Sequence, residues 1–183
     1  KVKYARTGGE ACTIAIRIAR AYSEKTKIAF CGYHGWHDWY LSVNLGKTDS
    51  LDGHLLPGLQ PNGVPEGLAE TTIPFKYNDI EALEKIFTDN KGDMAGIIIE
   101  PIRNEEPRAG FLEKVKELAR KNNAVLIFDE ITAGWREITA GMHMKYGIEP
   151  DIAIFGKTIS NGFPMAAIIG VDTVMEAAQN TFI

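Results

Sequence analysis

Cysteine is scarce in this chain of 183 residues, with only Cys12 and Cys31 present. Their spacing is not that of a metal site, and both stand among apolar residues. That argues against a disulfide framework and points to reduced thiols in an intracellular core. No apolar run reaches the ~20 residues that a membrane span requires, so none is expected. Positive charge is not in excess either. Lys and Arg number 20 against 24 Asp and Glu, for a net charge of −4. A basic field for nucleic acid or an anionic membrane is therefore missing. Internal repeats, low-complexity segments and clear domain boundaries are missing as well. The opening "KVKYARTGGEAC" does not read as a signal peptide but as a strand entering a helix with no lead-in. The closing "AAQNTFI" stops without a terminator, so an excised piece of a longer protein is expected.

What is present is ordinary globular material, 45% hydrophobic and 24% charged, enough for one sizeable core. Strands are expected at 2–5, 27–31, 94–100, 124–128, 152–155 and 166–169. Ala11, Ile14, Ala15, Ile18, Ala19 and Tyr22 follow the i, i+3, i+4 rule of one helix. Further helices are expected over 80–87, capped by Asn78 or Asp79, over 111–122, and over 171–178, capped by Asp172. Residues 44–68, rich in Gly and Pro, read as a long loop or flap. Several strands are continuously apolar rather than alternating, which marks strands buried on both faces. The class is therefore α/β, a mostly parallel sheet covered by helices.

Ligands of such sheets sit beyond the carboxyl ends of the strands, and three polar signals fall there. The first is "TGGEA". A helix N-terminus offers free N–H groups, and glycines let a phosphate approach the backbone. Thr7 and Glu10 equally fit a T-x-x-E capping box, which needs no ligand. The second is Asp129 after "AVLIF". It suits a metal ligand, a catalytic base, a partner for a protonated ring nitrogen, or a helix cap. The third is Lys157 after "IAIF". "DIAIFGKT" has the end of a nucleotide P-loop, but Asp151 occupies the first glycine position, so that reading fails. The plain alternative is a surface lysine in a turn. A partly desolvated lysine at a strand end is instead a usable amine nucleophile. Anion cradle, carboxylate and lysine together are what pyridoxal phosphate requires. "FCGYHGWHDWYLS" adds Tyr33, an aromatic able to lie on the cofactor ring. His34 and His37 stand at H-x-x-H spacing with no further ligand, and no metal is expected.

In the order "TGGEA", "GYHGWHD", "IIIEPI", "LIFDEITAGWR" and "PDIAIFGKTISNGFPMAAIIG", residues 2–170 resemble the class III pyridoxal-phosphate aminotransferases. That fold type I group includes glutamate-1-semialdehyde aminomutase and the ω-amino-acid aminotransferases. The resemblance implies a three-layer α/β/α large cofactor-binding domain, with Lys157 as the Schiff-base lysine and Asp129 as the acid at the pyridine nitrogen. Thr7, Gly8 and Gly9 match the phosphate-binding turn, with Gly9 where the family usually has a hydroxyl residue. Tyr33 matches the aromatic on one face of the ring and Ile131 the apolar residue on the other. Glu100 matches the acid ahead of Pro, and Arg136 the arginine of T-G-F-R, with Trp135 for the Phe. Glu105 falls where ω-aminotransferases carry a gating acid, although Asn104 replaces the preceding Gly. Glu105 and Trp36 are the substrate candidates.

The implied activity is transfer of an amino group from a small-molecule donor to a keto acid or aldehyde acceptor. The implied setting is a cytoplasmic homodimer with cofactor sites near the interface. Trp36, Trp39 and Tyr40 are aromatics dense enough to serve that interface, or else to be buried within one subunit. Residues 1–183 would be the large domain, with an N-terminal segment and a C-terminal small domain outside it. Two rival readings remain: a 2,1-aminomutase returning the amine to the same skeleton, and a non-catalytic scaffold of the same fold.

Overall fold

The computed structural model describes residues 1–47, 49–54, 57–58, 60–181 and 183, apart from the side chain of Asn180. Seven strands form one sheet: β1 (Val2–Ala5), β2 (Lys27–Cys31), β3 (Thr72–Pro74), β4 (Met94–Ile99), β5 (Val125–Asp129), β6 (Ile152–Phe155) and β7 (Ala166–Gly170). Their order is β1-β7-β6-β5-β4-β2-β3. β3, β2, β4, β5 and β6 run parallel, while β7 is antiparallel to both β6 and β1. β1 therefore runs in the direction of β6, and the carboxyl ends of β1, β5 and β6 share one edge.

Helices cover both faces: α1 (Gly8–Ser23), α2 (Asp38–Leu41), α3 (Ile80–Asp89), α4 (Phe111–Lys121), α5 (Met142–Tyr146) and α6 (Asp172–Met175). The continuously apolar strands explain the three layers. On β5, Val125 and Ile127 join the core under α1 and α6, while Leu126 and Phe128 join the core under α3 and α4. β4 splits the same way, with Ala95 and Ile98 on the α1 side and Met94, Ile97 and Ile99 on the other. Each large aliphatic buried this way contributes about 1.5–3 kcal/mol. On α1, the small residues Ala11, Ala15 and Ala19 are fully buried and let the helix lie close to the sheet.

The local signals fell close to these boundaries, with instructive departures. Asp79, not Asn78, caps α3, its Oδ1 accepting from the Ala82 N–H at 2.9 Å. Asn78 has φ +63° and binds the 106–108 loop instead, accepting from the Arg108 N–H at 2.8 Å. Asp172 does not cap its helix. Val171 remains extended at the N-cap, and Asp172 is already the first helical residue. β3 and α5 escaped the sequence pattern because three and five residues are too few to show a period. The expected loop over 44–68 includes Thr48, Leu55, Leu56 and Leu59, which lie outside the described residues. Its described part is anchored rather than free, since Leu51 is fully buried and its N–H donates to Asn44 at 3.1 Å.

Candidate active site

The shared strand edge carries a cleft of about 460 Å³. Thr7, Gly8, Gly9, Tyr33, Trp36, Asp129, Ile131 and Lys157 all line it, joined by Arg6, His34, His37 and Thr132. Of the residues singled out from sequence for the site, Glu100, Glu105 and Arg136 lie outside it.

The glycine turn is the start of α1. Thr7 is its N-cap, with its hydroxyl accepting from the Glu10 N–H at 3.2 Å. Glu10 reaches back to the Arg6 N–H at 2.8 Å, one residue before the partner that a capping box would use. The capped turn also stands on the cleft wall. Space is tight at both glycines. A Cβ on Gly8 would lie 2.7 Å from Ile131 Cδ1, and one on Gly9 3.3 Å from His37 Cδ2.

Asp129 ends β5 and continues the inward series Val125, Ile127, so its carboxylate meets α1. It is buried and has three hydrogen-bond partners. His34 Nδ1 lies 2.8 Å from Oδ2, the Cys12 thiol donates to the same oxygen at 3.5 Å, and the Ile131 N–H donates to Oδ1 at 3.0 Å. His34 Nε2 lies 3.1 Å from the Cys31 carbonyl, which can only accept. Nε2 therefore carries a proton, and a second proton lies between Nδ1 and Oδ2. Burial, helped by the charge of Asp129, pushes the Cys12 thiol well above its ordinary value and keeps it a donor. Ligand atoms of Cys12, His34 and Asp129 lie within 4.8 Å of one another, a grouping that H-x-x-H spacing does not reveal. Here Cys12 and His34 are each hydrogen-bonded to Asp129. His34 and Cys12 were missed as partners of Asp129 because 95 and 117 residues separate them from it.

Lys157 follows β6 and opens a short 3-10 turn, Lys157–Ile159, with φ +44°. That left-handed backbone is costly for a lysine, of order 1 kcal/mol or more. Its side chain is exposed, not partly desolvated as expected, and its Nζ donates to the Thr132 hydroxyl at 2.8 Å. Thr132 stands three residues after Asp129 in "DEIT", a proximity in sequence that hints at its place.

Glu130 points to the opposite side. It is fully buried and accepts from the Met142 and His143 N–H groups at 3.0 and 2.9 Å. His143 Nδ1 lies 2.9 Å from its Oε1. One carboxylate thereby closes residues 131–141 into a loop that supplies Thr132 to the cleft and keeps Arg136 outside it, where its Nε donates to the Thr132 carbonyl.

Tyr33 is positioned from below. Its N–H donates to Glu100 Oε2 at 3.2 Å, and the Arg103 guanidinium lies 5.9 Å from its ring centre. Gly32 has φ +111°, and a Cβ there would come 2.5 Å from Glu100 Oε2, so only glycine fits. Burial pushes the Glu100 carboxyl above its ordinary value, against the pull of His34 and Arg103. Glu105 lines a second cavity, of about 320 Å³, with Glu100, Arg103, His54 and Tyr77. On the cleft rim Trp36 is 71% exposed and Phe163 80%. Of the aromatics weighed between an interface and the core, Trp39 and Tyr40 are buried in the core under α1.

The pattern of the family described as Aminotransferase class-III matches residues 1–182. The chain belongs to that family. It is 42% identical over 177 residues to a 3-aminobutyryl-CoA aminotransferase of Cloacimonas acidaminovorans (strain Evry), covering 93% of this chain and 39% of that protein. It is 39% identical over 181 residues to a glutamate-1-semialdehyde 2,1-aminomutase of Ignicoccus hospitalis (strain KIN4/I / DSM 18386 / JCM 14125), covering 96% of this chain and 42% of that protein. A solved structure of a transaminase with PLP bound superposes with a TM-score of 0.82 at 31% identity, over 96% of this chain and 41% of that one. The chain spans about two fifths of the length of the curated relatives it matches.

Proposed function

We propose that the chain is the large cofactor-binding domain of a pyridoxal-phosphate-dependent aminotransferase. The observation that carries this is the convergence of Lys157, Asp129 and the turn at Gly8 and Gly9 on one cleft. The donor set suits the cofactor. A cradle that a Cβ would fill admits a phosphate to backbone N–H groups. A fixed, buried carboxylate suits a protonated ring nitrogen, and a lysine amine stands at the cleft. Thr7, Gly8 and Gly9 would take the phosphate, Tyr33 and Ile131 the ring faces, and Asp129 the nitrogen. Bound there, pyridoxal phosphate supplies a carbonyl that accepts the amino group and an electron sink for the carbon losing its proton. Lys157 anchors the cofactor through Nζ, then acts as general base and moves that proton. Asp129 holds the ring-nitrogen proton, an electrostatic contribution. Substrates are a small amino donor and a carbonyl acceptor, with Trp36 and Glu105 at the substrate end.

Borohydride reduction of the natural full-length protein tests this reading. The label should map to Lys157, and a label on another lysine would sink the assignment. Glu105→Ala should change the preference between α- and ω-amino donors, and an unchanged ratio of specificity constants would remove Glu105. An aminomutase is the second reading, favoured by the names of several relatives. An obligatory keto-acid acceptor would decide for the aminotransferase. We also place the protein in the cytoplasm, supported by two free, buried cysteines. We assign it a homodimer with the cleft near the interface, supported by the exposed rim of Trp36 and Phe163. Sedimentation read with visible absorbance tests this, and a monomer with stoichiometric cofactor would refute it.

A further inference from the structure

We propose that His37 is an anion-binding residue of the cleft, its Nε2 taking the place of a side-chain donor at position 9 on the cofactor phosphate. The inference rests on the pyridoxal-phosphate reading above. Gly9 sits in the first turn of α1 and has no side chain to offer. The edge of the His37 ring lies in the room a side chain there would use. A Cβ at Gly9 would be 3.3 Å from His37 Cδ2 and 3.4 Å from Nε2. Both residues line the cleft.

The network behind the ring decides which nitrogen is free. His37 Nδ1 lies 2.9 Å from Thr13 Oγ1. That hydroxyl also lies 2.9 Å from the Gly9 carbonyl, which can only accept, and 3.2 Å from Trp39 Nε1, which can only donate. A hydroxyl has one proton and two acceptor sites. All three contacts are made only when the hydroxyl donates to Gly9 and accepts from both Trp39 and His37 Nδ1–H. Nε2 is then the nitrogen left over, and it has no hydrogen-bond partner among the described residues. As imidazolium the ring donates from both nitrogens, Nδ1 to Thr13 and Nε2 to the anion. The Thr13 link also ties the ring to the Gly9 carbonyl, so cradle and donor move as one piece. Trp36 lies against the ring, with centroids 4.9 Å apart.

The experiment uses the natural full-length apoprotein and compares pyridoxal phosphate with pyridoxal, which lacks the phosphate, by equilibrium dialysis. His37→Ala should weaken pyridoxal phosphate roughly ten- to hundredfold, as loss of a charge-assisted hydrogen bond requires. Pyridoxal should be held as in the wild type. Gly9→Ser combined with His37→Ala places a hydroxyl in the vacated room and should restore much of the lost affinity. Gly9→Ser alone should not improve binding, because the ring already fills the space. An equal loss for both ligands would make His37 merely structural and overturn the inference, and so would no loss for either. If the wild type binds pyridoxal phosphate no better than pyridoxal, the phosphate site itself is wrong and the proposed function falls with it.

Discussion

Asp129 and Glu130 are neighbours at the end of β5, both buried and both beside a histidine, yet the regions around them differ in kind. On the α1 side, Asp129 has three partners, two of them, Cys12 and His34, from distant parts of the chain, and its cleft is open to a ligand. On the other side, every donor to Glu130 comes from Met142 and His143 at the start of α5. One carboxylate is held still for something else to meet, and the other does the holding. The alternation of a strand, two residues per period, is enough to separate these tasks.

Substitutions can break or sharpen that comparison. The largest effect is expected for Lys157→Ala, which should abolish turnover in the full-length protein and leave the unfolding transition nearly unchanged. A loss of fold would merge the two regions. Asp129→Asn should come next, lowering turnover about 10²–10³-fold, as for other preorganised electrostatic groups, while cofactor is retained. Near-native turnover would make Asp129 a second structural carboxylate like Glu130. Glu130→Gln should show the reverse pattern. An amide offers one acceptor oxygen in place of two and leaves a buried donor unmet, at a cost of about 1–3 kcal/mol in denaturant unfolding. Turnover per folded molecule should fall far less than for Asp129→Asn.

The smallest effect concerns His54, a half-buried ionisable group beside Glu100, Arg103 and Lys76 in the second cavity. Its Nδ1 accepts from the Gly32 N–H at 3.3 Å, and burial, with the nearby His34, lowers its pKa to about 4. A base whose pKa falls on folding binds fewer protons when folded. Stability should therefore fall as pH drops from about 6.5 towards 4 and be unaffected by this group at higher pH. His54→Gln should flatten that part of the pH–stability profile. An unchanged slope would show the group to be solvated.

The sequence reveals Lys157 and Asp129 because each directly follows a continuously apolar strand, a local signal that also places them at a common edge. It reveals Gly8, Gly9 and Tyr33 through short motifs at strand ends. The contacts that give Asp129 its character join residues about a hundred positions apart, and no local period records them. His34 and His37 were visible as histidines, yet H-x-x-H spacing says nothing of which faces Asp129 and which Gly9. Trp39 and Tyr40 show a related limit, since aromatic density does not say whether the rings face a partner or the core.

The left-handed backbone at Lys157 has a further consequence. A residue such as asparagine suits φ +44° better than lysine does. The fold, left to itself, would be better served by losing this lysine. Lys157→Asn should accordingly unfold at a slightly higher temperature than the wild type while being catalytically dead, a trade of robustness against chemistry located in one torsion angle.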